Sequence, residues 1–282
     1  MKIKLINDNN LLVLEINNDQ LKQFYEKCQK DKLIGVDTEF YRVDTYYPEL
    51  CLIQLSNNQQ SIILDPKEAS FNLDLIKKLL FNTRIKKIFY AARQDVEIFY
   101  HIFNKIPCPI IDIQICLLAL DYSNSTSYAK ACNSILNVKI DKQNQFIDWR
   151  KRPLSKNQKT YAINDVKYLI PLFKKIEKKL STKKLLLFKK YYSRITDYKI
   201  YSERAERAWK KIRFKPNNNQ ELKNLKKYSE IREIVAMEKN IPVKRVITDS
   251  ELKALCRDSV NEKLKAKILN KLSLKSKKLL TK

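Results

Sequence analysis

The sequence predicts an α/β domain followed by a small all-helical module. Short β-rich runs alternate with amphipathic helical patterns through residues 1–195, which is typical of a central sheet covered by helices. Beyond that point only helical periodicity continues. Net charge also divides the chain, because residues 1–150 carry 19 Lys and Arg against 18 Asp and Glu, whereas residues 151–282 carry 38 against 13. We therefore expect two domains, residues 1–195 and 196–282.

Four runs rich in Ile, Leu and Val are predicted as strands: KLIGVDTEF, LCLIQLS, QSIILD and KKIFYA. The first three are joined by short polar connections, which predicts an antiparallel meander. Helices are predicted for five amphipathic patterns: DQLKQFYEKCQK, FNLDLIKKLLF, RQDVEIFYHIF, DIQICLLALD and TSYAKACNSIL. Each shows apolar residues at helical spacing. The first domain is therefore expected to combine a sheet with covering helices.

A long helical pattern, SKNQKTYAINDVKYLIPLFKKIEKKL, closes the first domain. Ser155 is predicted as its N-cap, and Pro171 is expected to kink or split it because proline lacks a backbone N–H group. The second domain shows four helical stretches: SERAERAWKKIRF, ELKNLKKYSEIREIVAMEKN, DSELKALC and VNEKLKAKILNKL. Asp249 is predicted as the N-cap of the third stretch, and Asn240-Ile241-Pro242 breaks the second from the third.

Several classes of protein are disfavoured by composition. The polar start, MKIKLINDNN, does not resemble a secretory signal, and the apolar runs are too short to span a bilayer. The six Cys show no CxxC pair and lie mostly among apolar neighbours, as expected in a reduced cytoplasm. With one His and no Cys pair, a zinc site is not expected. We therefore expect a cytoplasmic protein.

The positive charge of residues 151–282 is expected to attract a polyanion, and nucleic acids are the usual ones. A coding bias towards Lys, Asn and Ile is the alternative explanation, and the single Gly in 282 residues fits such a bias. A bias acting on the whole chain would not leave residues 1–150 nearly neutral. Functional basicity is therefore the favoured interpretation.

Asp37 and Glu39 interrupt an apolar strand pattern, LIGVDTEF. Side chains at i and i+2 of a strand point to one side, so the two carboxylates project together and Thr38 points away. Burial of two unpaired carboxylates costs several kcal/mol, so a cation is expected beside them. The pair supplies half of a site for a hard divalent cation such as Mg²⁺. Solvated surface carboxylates are the alternative.

Three later residues carry similar chemistry. Asp95 lies near the start of a helix that follows a strand, where the helix macrodipole alone would also favour an acid. Tyr161 and Asp165 are i and i+4, so they share one face of a helix. Asp165 is another candidate ligand, and the Tyr161 hydroxyl is able to orient water, since its ordinary pKa near ~10 makes it a poor base at neutral pH. A packed Tyr and an exposed Asp remain the alternative.

The set of DTEF, an acid in a helix after a strand, and YxxxD on a late helix resembles the DEDD exonuclease superfamily, tyrosine subtype. Three longer segments resemble the ribonuclease D family: DTEFYRVDTYYPELCLIQLS, PIIDIQICLLALDYS and IDWRKRPLSKNQKTYAINDVKYLIPL. The C-terminal YSEIREIVAMEKNIPVKRVITDSELKAL resembles the HRDC module, an all-helical unit that binds nucleic acid. The resemblance implies a ribonuclease H-like exonuclease core, a mixed sheet flanked by helices, followed by an HRDC-like domain.

The resemblance also implies two divalent cations, Mg²⁺ or Mn²⁺. By analogy Asp37 would bridge both ions, Glu39 and Asp165 would complete the site of one, and Asp95 would hold the second largely through water. Tyr161 would align the attacking water. The implied activity is metal-dependent 3′-5′ hydrolysis of RNA to nucleoside 5′-monophosphates, with tRNA precursors as the typical substrate. Membrane attachment and an obligate protein partner are not expected.

Two departures from the family pattern are present. Tyr90-Ala91-Ala92 stands where the family usually has His-Ala-Gly, which puts the local backbone in question but not the ligand. Longer members carry two HRDC modules, and this chain has room for one. Its RNA binding is therefore expected to depend more on general electrostatics.

Contacts with substrate are expected from residues near the acidic strand and from a basic loop. Stacking under a terminal base is the candidate role of Phe40, Tyr46 and Tyr47, together with contacts from Thr38. Phosphate binding is the candidate role of Arg150 and Arg152. For Tyr46 and Tyr47, packing in the core is the favoured interpretation, and solvation is the alternative for the two arginines. Two rival functions remain. One is hydrolysis of single-stranded DNA, because reading the 2′-OH requires contacts that the sequence does not show. The other is an inert RNA-binding protein on the same scaffold.

Overall fold

The computed structural model describes residues 13–15, 18–67, 73–123, 126–140, 147–181, 189, 191–257 and 262–270. These residues form two compact units. The first contains the described residues up to Tyr41 and those from Glu49 to Thr196. The second contains Arg42–Pro48 and the described residues from Asp197 onwards. The segment Arg42–Pro48 is therefore part of the helical unit, although it lies between two strands in the sequence.

The first unit is built on one mixed sheet of six strands in the order β1-β4-β3-β2-β5-β6. The strands are β1 Val13–Glu15, β2 Leu33–Tyr41, β3 Glu49–Ser56, β4 Ser61–Leu64, β5 Lys86–Phe89 and β6 Ile110–Asp112. The predicted meander is confirmed, because β3 pairs antiparallel with both β2 and β4. The remaining pairs are parallel. The register of β2 against β3 shifts between Glu39 and Phe40.

Seven labelled helices of the first unit accompany the sheet: α1 Asn18–Asp31, α2 Leu73–Phe81, α3 Arg93–Phe103, α4 Ile113–Ala119, α5 Tyr128–Leu136, α6 Lys156–Lys167 and α7 Leu169–Glu177. Residues 191–196 are also helical. The predicted α/β class, a mixed sheet flanked by helices, is confirmed. Ser155 caps α6 as predicted, in a capping box with Gln158. The long helical pattern is split at Tyr168, three residues before Pro171, whose missing N–H disfavours a continuous helix.

Gly35, the only glycine of the chain, sets how closely α6 approaches β2. A Cβ atom at this position would lie 2.3 Å from Oγ of Ser56, 3.2 Å from the carbonyl oxygen of Val166 and 3.3 Å from Cβ of Leu169. The Ser56 hydroxyl itself donates to the Val166 carbonyl at 2.8 Å. The glycine therefore provides space at a point where strand and helix backbones pack without an intervening side chain.

We predict that Gly35→Ala lowers the free energy of unfolding by roughly 1–3 kcal/mol, because overpacking forces backbone shifts in a close-packed interior. Thermal unfolding of the two proteins in EDTA measures the loss. Ser56→Ala in the Gly35→Ala background should recover part of it, since it removes the atom closest to the added methyl group. An unchanged melting temperature for Gly35→Ala would show that this contact does not hold α6 on the sheet.

The second unit is helical. It contains α8 Lys199–Ser202, a 3₁₀ turn at Ala208–Lys211, α9 Asn219–Lys239, α10 Val243–Val246, α11 Asp249–Arg257 and α12 Glu262–Leu269. The helix predicted over SERAERAWKKIRF is present only as the short 3₁₀ turn. The break at Asn240-Ile241-Pro242 is confirmed, because Asn240 ends α9 in the left-handed conformation.

Asp249 does not cap α11, so this prediction was wrong. Thr248 is the cap, because its hydroxyl accepts from the Glu251 N–H while Glu251 accepts from the Thr248 N–H. Asp249 instead accepts from the buried Arg232 guanidinium at 2.7 Å. Both Thr and Asp are good caps, and a buried arginine elsewhere in the unit draws the carboxylate away from the helix end.

Candidate active site

Three carboxylates meet where β2 passes under α6. Asp37, Glu39 and Asp165 each place a carboxylate oxygen within 4.8 Å of the other two. Asp37 and Glu39 lie at i and i+2 of β2, and Asp165 lies in α6, whose position on the sheet is set by the contact at Gly35. The two elements therefore bring together side chains that are separated by more than a hundred residues of sequence.

Asp95, in the first turn of α3, joins this cluster from a third element. Its side chain is buried, and it accepts a hydrogen bond of 2.5 Å from the Thr38 hydroxyl. Strand alternation predicts that Thr38 points away from the neighbouring acids, yet its hydroxyl contacts this fourth one. The charge of Asp95 raises the pKa of both Asp37 and Glu39, so the acid belongs to the same electrostatic cluster.

Tyr161 lies one turn before Asp165 on α6 and donates a hydrogen bond to it. Its ring is half-buried, with the indole of Trp149 at a centroid distance of 6.0 Å. Burial and the charge of Asp165 raise the pKa of the Tyr161 hydroxyl above its ordinary value, and Glu39 and Asp37 add to this. The hydroxyl is therefore protonated at neutral pH and serves as a hydrogen-bond donor.

Burial raises the pKa of all four acids, and repulsion from the other acids of the cluster adds to it at Asp37 and Glu39. Asp37 is raised well above its ordinary value by burial and by three neighbouring charges, those of Asp95, Asp165 and Glu39. Burial is the largest cause for Glu39, whose pKa rises to about 9, and for Asp95 and Asp165, which rise to about 7. Hydrogen bonds from Thr38 and Tyr161 oppose the rise at Asp95 and Asp165. The charges of all three other acids raise the pKa of Asp37.

The donor set fits hard divalent cations. Carboxylate oxygens are the ligands that Mg²⁺ and Mn²⁺ prefer, and three of them converge from two rigid elements. A cation nearby would offset both the burial cost and the repulsion that raise these pKa values. In the described part of the chain, this is the one group of His, Cys, Asp and Glu residues with ligand spacing. The residues that the sequence singled out are therefore suited to a metal site.

The candidate substrate contacts fall in different places. Phe40 is partly buried at the end of β2, next to Glu39. Tyr46 lies in the helical unit, where it is 4% exposed and its hydroxyl donates to Glu233 at 2.6 Å. Its backbone N–H also donates to Asn240. This placement agrees with the packing favoured for Tyr46 over stacking against a base.

The two arginines are engaged to different degrees. Arg150 forms a two-pronged pair with Asp148 at 2.9 Å and stacks on Tyr41, with the guanidinium carbon 3.3 Å from the ring centroid. Arg152 is bonded to Asp65 and donates to three backbone carbonyls, those of Trp149, Lys151 and Cys51. These hydrogen bonds indicate that Arg152 holds its loop against the sheet. Arg150 is the better candidate for a phosphate contact, because it is about one-third exposed.

Asp112 is a buried acid that sequence reasoning did not single out. It ends β6, a short strand that comes just before the pattern predicted to be helical, and its side chain caps α4 through the Gln114 N–H. Its carboxylate also accepts from the Ala91 and Ala92 N–H groups before α3. No spacing motif links Asp112 to Asp95, so only the parallel pairing of β5 and β6 reveals that they lie near one another.

Comparison with known proteins places this geometry among nucleases. A family model described as 3′-5′ exonuclease matches residues 16–181. Ribonuclease D of Sphingobium indicum is 36% identical over 234 residues, which are 82% of this chain and 60% of that protein. Ribonuclease D of Zymomonas mobilis is 36% identical over 228 residues, 80% of this chain and 58% of that protein. The chain spans about three fifths of the length of these curated relatives.

Solved structures give the same likeness. The crystal structure of Escherichia coli RNase D, described as an exoribonuclease involved in structured RNA processing, superposes with a TM-score of 0.68 at 26% identity. The match covers 92% of this chain and 69% of that one. These findings confirm the resemblance on which the sequence expectations depended. No helix in the described part of the chain is long and apolar enough to cross a membrane.

Proposed function

We propose that this chain, which belongs to the 3′-5′ exonuclease family, hydrolyses RNA from the 3′ end and releases nucleoside 5′-monophosphates. Its relatives include ribonuclease D proteins. The observation that carries the proposal is the meeting of Asp37, Glu39 and Asp165, with Asp95 and Tyr161 beside them. A protein that only binds RNA has no evident need for a cluster of four neighbouring acids. The inert alternative is therefore disfavoured.

The four acids would hold two divalent cations. Asp37, whose pKa the other three acids raise, would contribute to holding both ions, while Glu39 and Asp165 would complete the site of one. Asp95 would hold the second. When bound, two such ions stabilise the attacking and the leaving oxygens of an in-line phosphodiester displacement. The four carboxylates would supply the negative charge that balances two dications.

Tyr161 and Thr38 have supporting roles in this site. The Tyr161 hydroxyl remains protonated and is bonded to Asp165, so it can orient the attacking water without acting as a base. The Thr38 hydroxyl fixes Asp95, so we assign Thr38 to the orientation of this carboxylate. Phe40, next to Glu39, is the remaining aromatic candidate for stacking under the terminal base.

Tyr161→Phe is predicted to lower the rate of RNA hydrolysis roughly 10²-fold, because it removes a positioned hydroxyl and leaves all four carboxylates. The increase in melting temperature on adding Mg²⁺ should remain close to that of wild type. Single-turnover digestion measures the rate of hydrolysis, and thermal unfolding with and without Mg²⁺ measures the effect on melting temperature. A Tyr161→Phe protein as active as wild type would exclude this hydroxyl from the reaction.

The proposed activity is tested by digestion of single-stranded RNA labelled at the 5′ or the 3′ end, in Mg²⁺ and in EDTA. We expect stepwise shortening of the 5′-labelled RNA, early release of labelled mononucleotide from the 3′-labelled RNA, and neither in EDTA. A DNA oligonucleotide of the same sequence distinguishes the rival substrate. Internal cleavage, or equal digestion in EDTA, would contradict the proposal.

The physiological substrate we propose is structured RNA with a 3′ extension, and tRNA precursors are the example that the family resemblance suggests. The similar Escherichia coli RNase D is described as acting in structured RNA processing, which supports the class of substrate. Digestion of a tRNA transcript with a 3′ extension, beside a mature tRNA, tests this choice. Trimming that stops at the mature end is the expected result.

The helical unit is proposed to hold the RNA electrostatically. A cavity of about 390 Å³ lies in this unit, and its lining includes five cationic side chains against two acids: Arg42, Arg204, Lys211, Arg232 and Lys244 against Glu233 and Asp249. Arg232 and Asp249 pair with each other, as do Lys211 and Glu233. The lining keeps a net positive charge, which favours a phosphate backbone.

Lys211 and Lys244, both exposed, provide a test of this site. Changing both to Gln should weaken RNA binding and make log Kd less steep against log salt by roughly 0.7 for each lost phosphate contact. The matched control changes Lys223 and Lys227, which are exposed on α9 and do not line the cavity. Equal effects of the two pairs would show that charge acts over the whole unit rather than at this cavity.

A further inference from the structure

Helix α3 begins without a side-chain cap of its own. Its N-cap position is Ala92, which has no side-chain acceptor. The N–H groups of Ala91 and Ala92 instead donate to the two carboxylate oxygens of Asp112, at 3.0 and 2.9 Å. Asp112 lies on the neighbouring strand β6 and is 2% exposed. A carboxylate from another strand therefore supplies the cap, and its charge suits a helix N-terminus.

The turn held in this way is strained. Ala91 has φ of 57°, the left-handed region, which costs a residue with a Cβ atom roughly 1–2 kcal/mol. Ala92, by contrast, has helical angles. Ala92, at the position where the family usually has Gly, is therefore unstrained, and Ala91 before it has the strained conformation. Two hydrogen bonds to a buried carboxylate favour this conformation and fix the direction in which the chain enters α3.

The direction of α3 decides where Asp95 lies. The Val96 N–H donates to the Ala92 carbonyl, so the first turn of the helix is built directly on the capped residue. Asp95, inside this turn, then meets the Thr38 hydroxyl. Asp112 is therefore connected to Asp95 through a short, rigid path of backbone hydrogen bonds.

We propose that Asp112 is a positioning residue that holds Asp95 in place for the second divalent ion. The inference rests on the proposed function, since it concerns the ion that Asp95 would hold. Asp112 does not take part in the proposed chemistry, because its carboxylate is already occupied by backbone N–H groups. Besides Ala91 and Ala92, Gln114 and Ile115 donate to it at the start of α4.

The test is a calorimetric titration with Mn²⁺ of wild type and Asp112→Asn at pH 7.5. Asparagine keeps the shape but offers one oxygen, and its NH₂ group would face an N–H donor. We expect two Mn²⁺ ions per wild-type chain. In Asp112→Asn the weaker ion should lose roughly 10- to 100-fold in affinity, the usual effect of removing a group that orients a metal ligand. The KM for RNA should stay unchanged.

Two further variants separate positioning from general stability. Ala91→Gly in the Asp112→Asn background should recover part of the lost Mn²⁺ affinity, because glycine adopts positive φ without cost. Ile76→Val, a change in the buried face of α2, should lower the melting temperature and leave Mn²⁺ binding unchanged.

Two results would overturn the inference. Wild-type affinity for both ions in folded Asp112→Asn, with only a lower melting temperature, would reduce Asp112 to a structural residue and leave the proposed function intact. A wild-type chain that binds no Mn²⁺ would overturn the proposed function and this inference with it.

Discussion

Asp37→Ala is expected to lower RNA hydrolysis by roughly 10³-fold or more, since a loss of about 4 kcal/mol of transition-state stabilisation corresponds to three factors of ten. Asp37 is the acid whose charge interacts with those of Glu39, Asp95 and Asp165. Its removal therefore takes away the ligand proposed to bridge both ions. Single-turnover digestion of 5′-labelled RNA in Mg²⁺ measures the loss.

The same substitution should stabilise the protein when no metal is present. Asp37 is held among three other carboxyl groups at a site where burial disfavours its charge. Replacing it with alanine removes this repulsion, so the melting temperature in EDTA should rise above that of wild type. Added Mg²⁺ should raise the melting temperature of wild type but not that of Asp37→Ala.

Asp74→Ala is the matched control, because Asp74 is an exposed acid on α2 outside the cluster. It should leave both hydrolysis and the Mg²⁺ effect unchanged. If Asp37→Ala digests RNA at the wild-type rate, the assignment of the active site is wrong. If it is less stable than wild type in EDTA, the repulsion inferred among the four acids is not a significant cost.

The second large effect concerns how the stability of the folded protein depends on pH. Glu39, with a folded pKa of about 9, and Asp95 and Asp165, with about 7, titrate near 4 in model peptides. The folded state therefore binds more protons than the unfolded state between these values, and stability must fall as pH rises. With respect to these groups, the metal-free protein should be most stable below about pH 4, where both states bind the protons, and should lose stability from there towards pH 7 to 9. It should lose up to about 1.4 kcal/mol per pH unit for each such proton.

Thermal unfolding in EDTA from pH 5 to pH 9 tests this prediction, with other conditions held constant. Divalent ions and protons compete for the same oxygens, so the gain in melting temperature from Mg²⁺ should increase over the same range. Asp165→Asn should reduce both slopes. Equal slopes for the two proteins would place the source of the pH dependence outside this cluster.

Much of the site could be predicted because its signals are local. The i, i+2 spacing of Asp37 and Glu39 and the i, i+4 spacing of Tyr161 and Asp165 follow from strand and helix geometry alone. The Ser155 cap and the break before Pro171 are equally local. Bringing these pieces into one site required the family resemblance, since no spacing rule relates β2 to α6.

Features that depend on tertiary contacts could not be predicted. Lys87 lies in a strand and is fully buried, because its ammonium group donates to three backbone carbonyls, those of Asn82, Ile85 and Cys108. Nothing in KKIF distinguishes it from the exposed Lys86. Likewise, β1 and β6 are only three residues long, too short for a period to be recognised.

The segment Arg42–Pro48 is the clearest case of a contact hidden from the sequence. Its position after the DTEF strand suggested a role beside the active site, whereas Tyr46 belongs to the core of the helical unit. Long-range hydrogen bonds from Tyr46 to Glu233 and Asn240 show this placement. Removing residues 196–282 would therefore also deprive this loop of the residues that bury Tyr46.

The most direct test of the central claim, that the carboxylate cluster holds divalent ions for hydrolysis, is Mn²⁺ binding by wild type and Asp37→Ala at pH 7.5. We predict two ions per wild-type chain and no specific binding to Asp37→Ala at the same concentrations. Equal binding by the two proteins, or none by wild type, would contradict the claim.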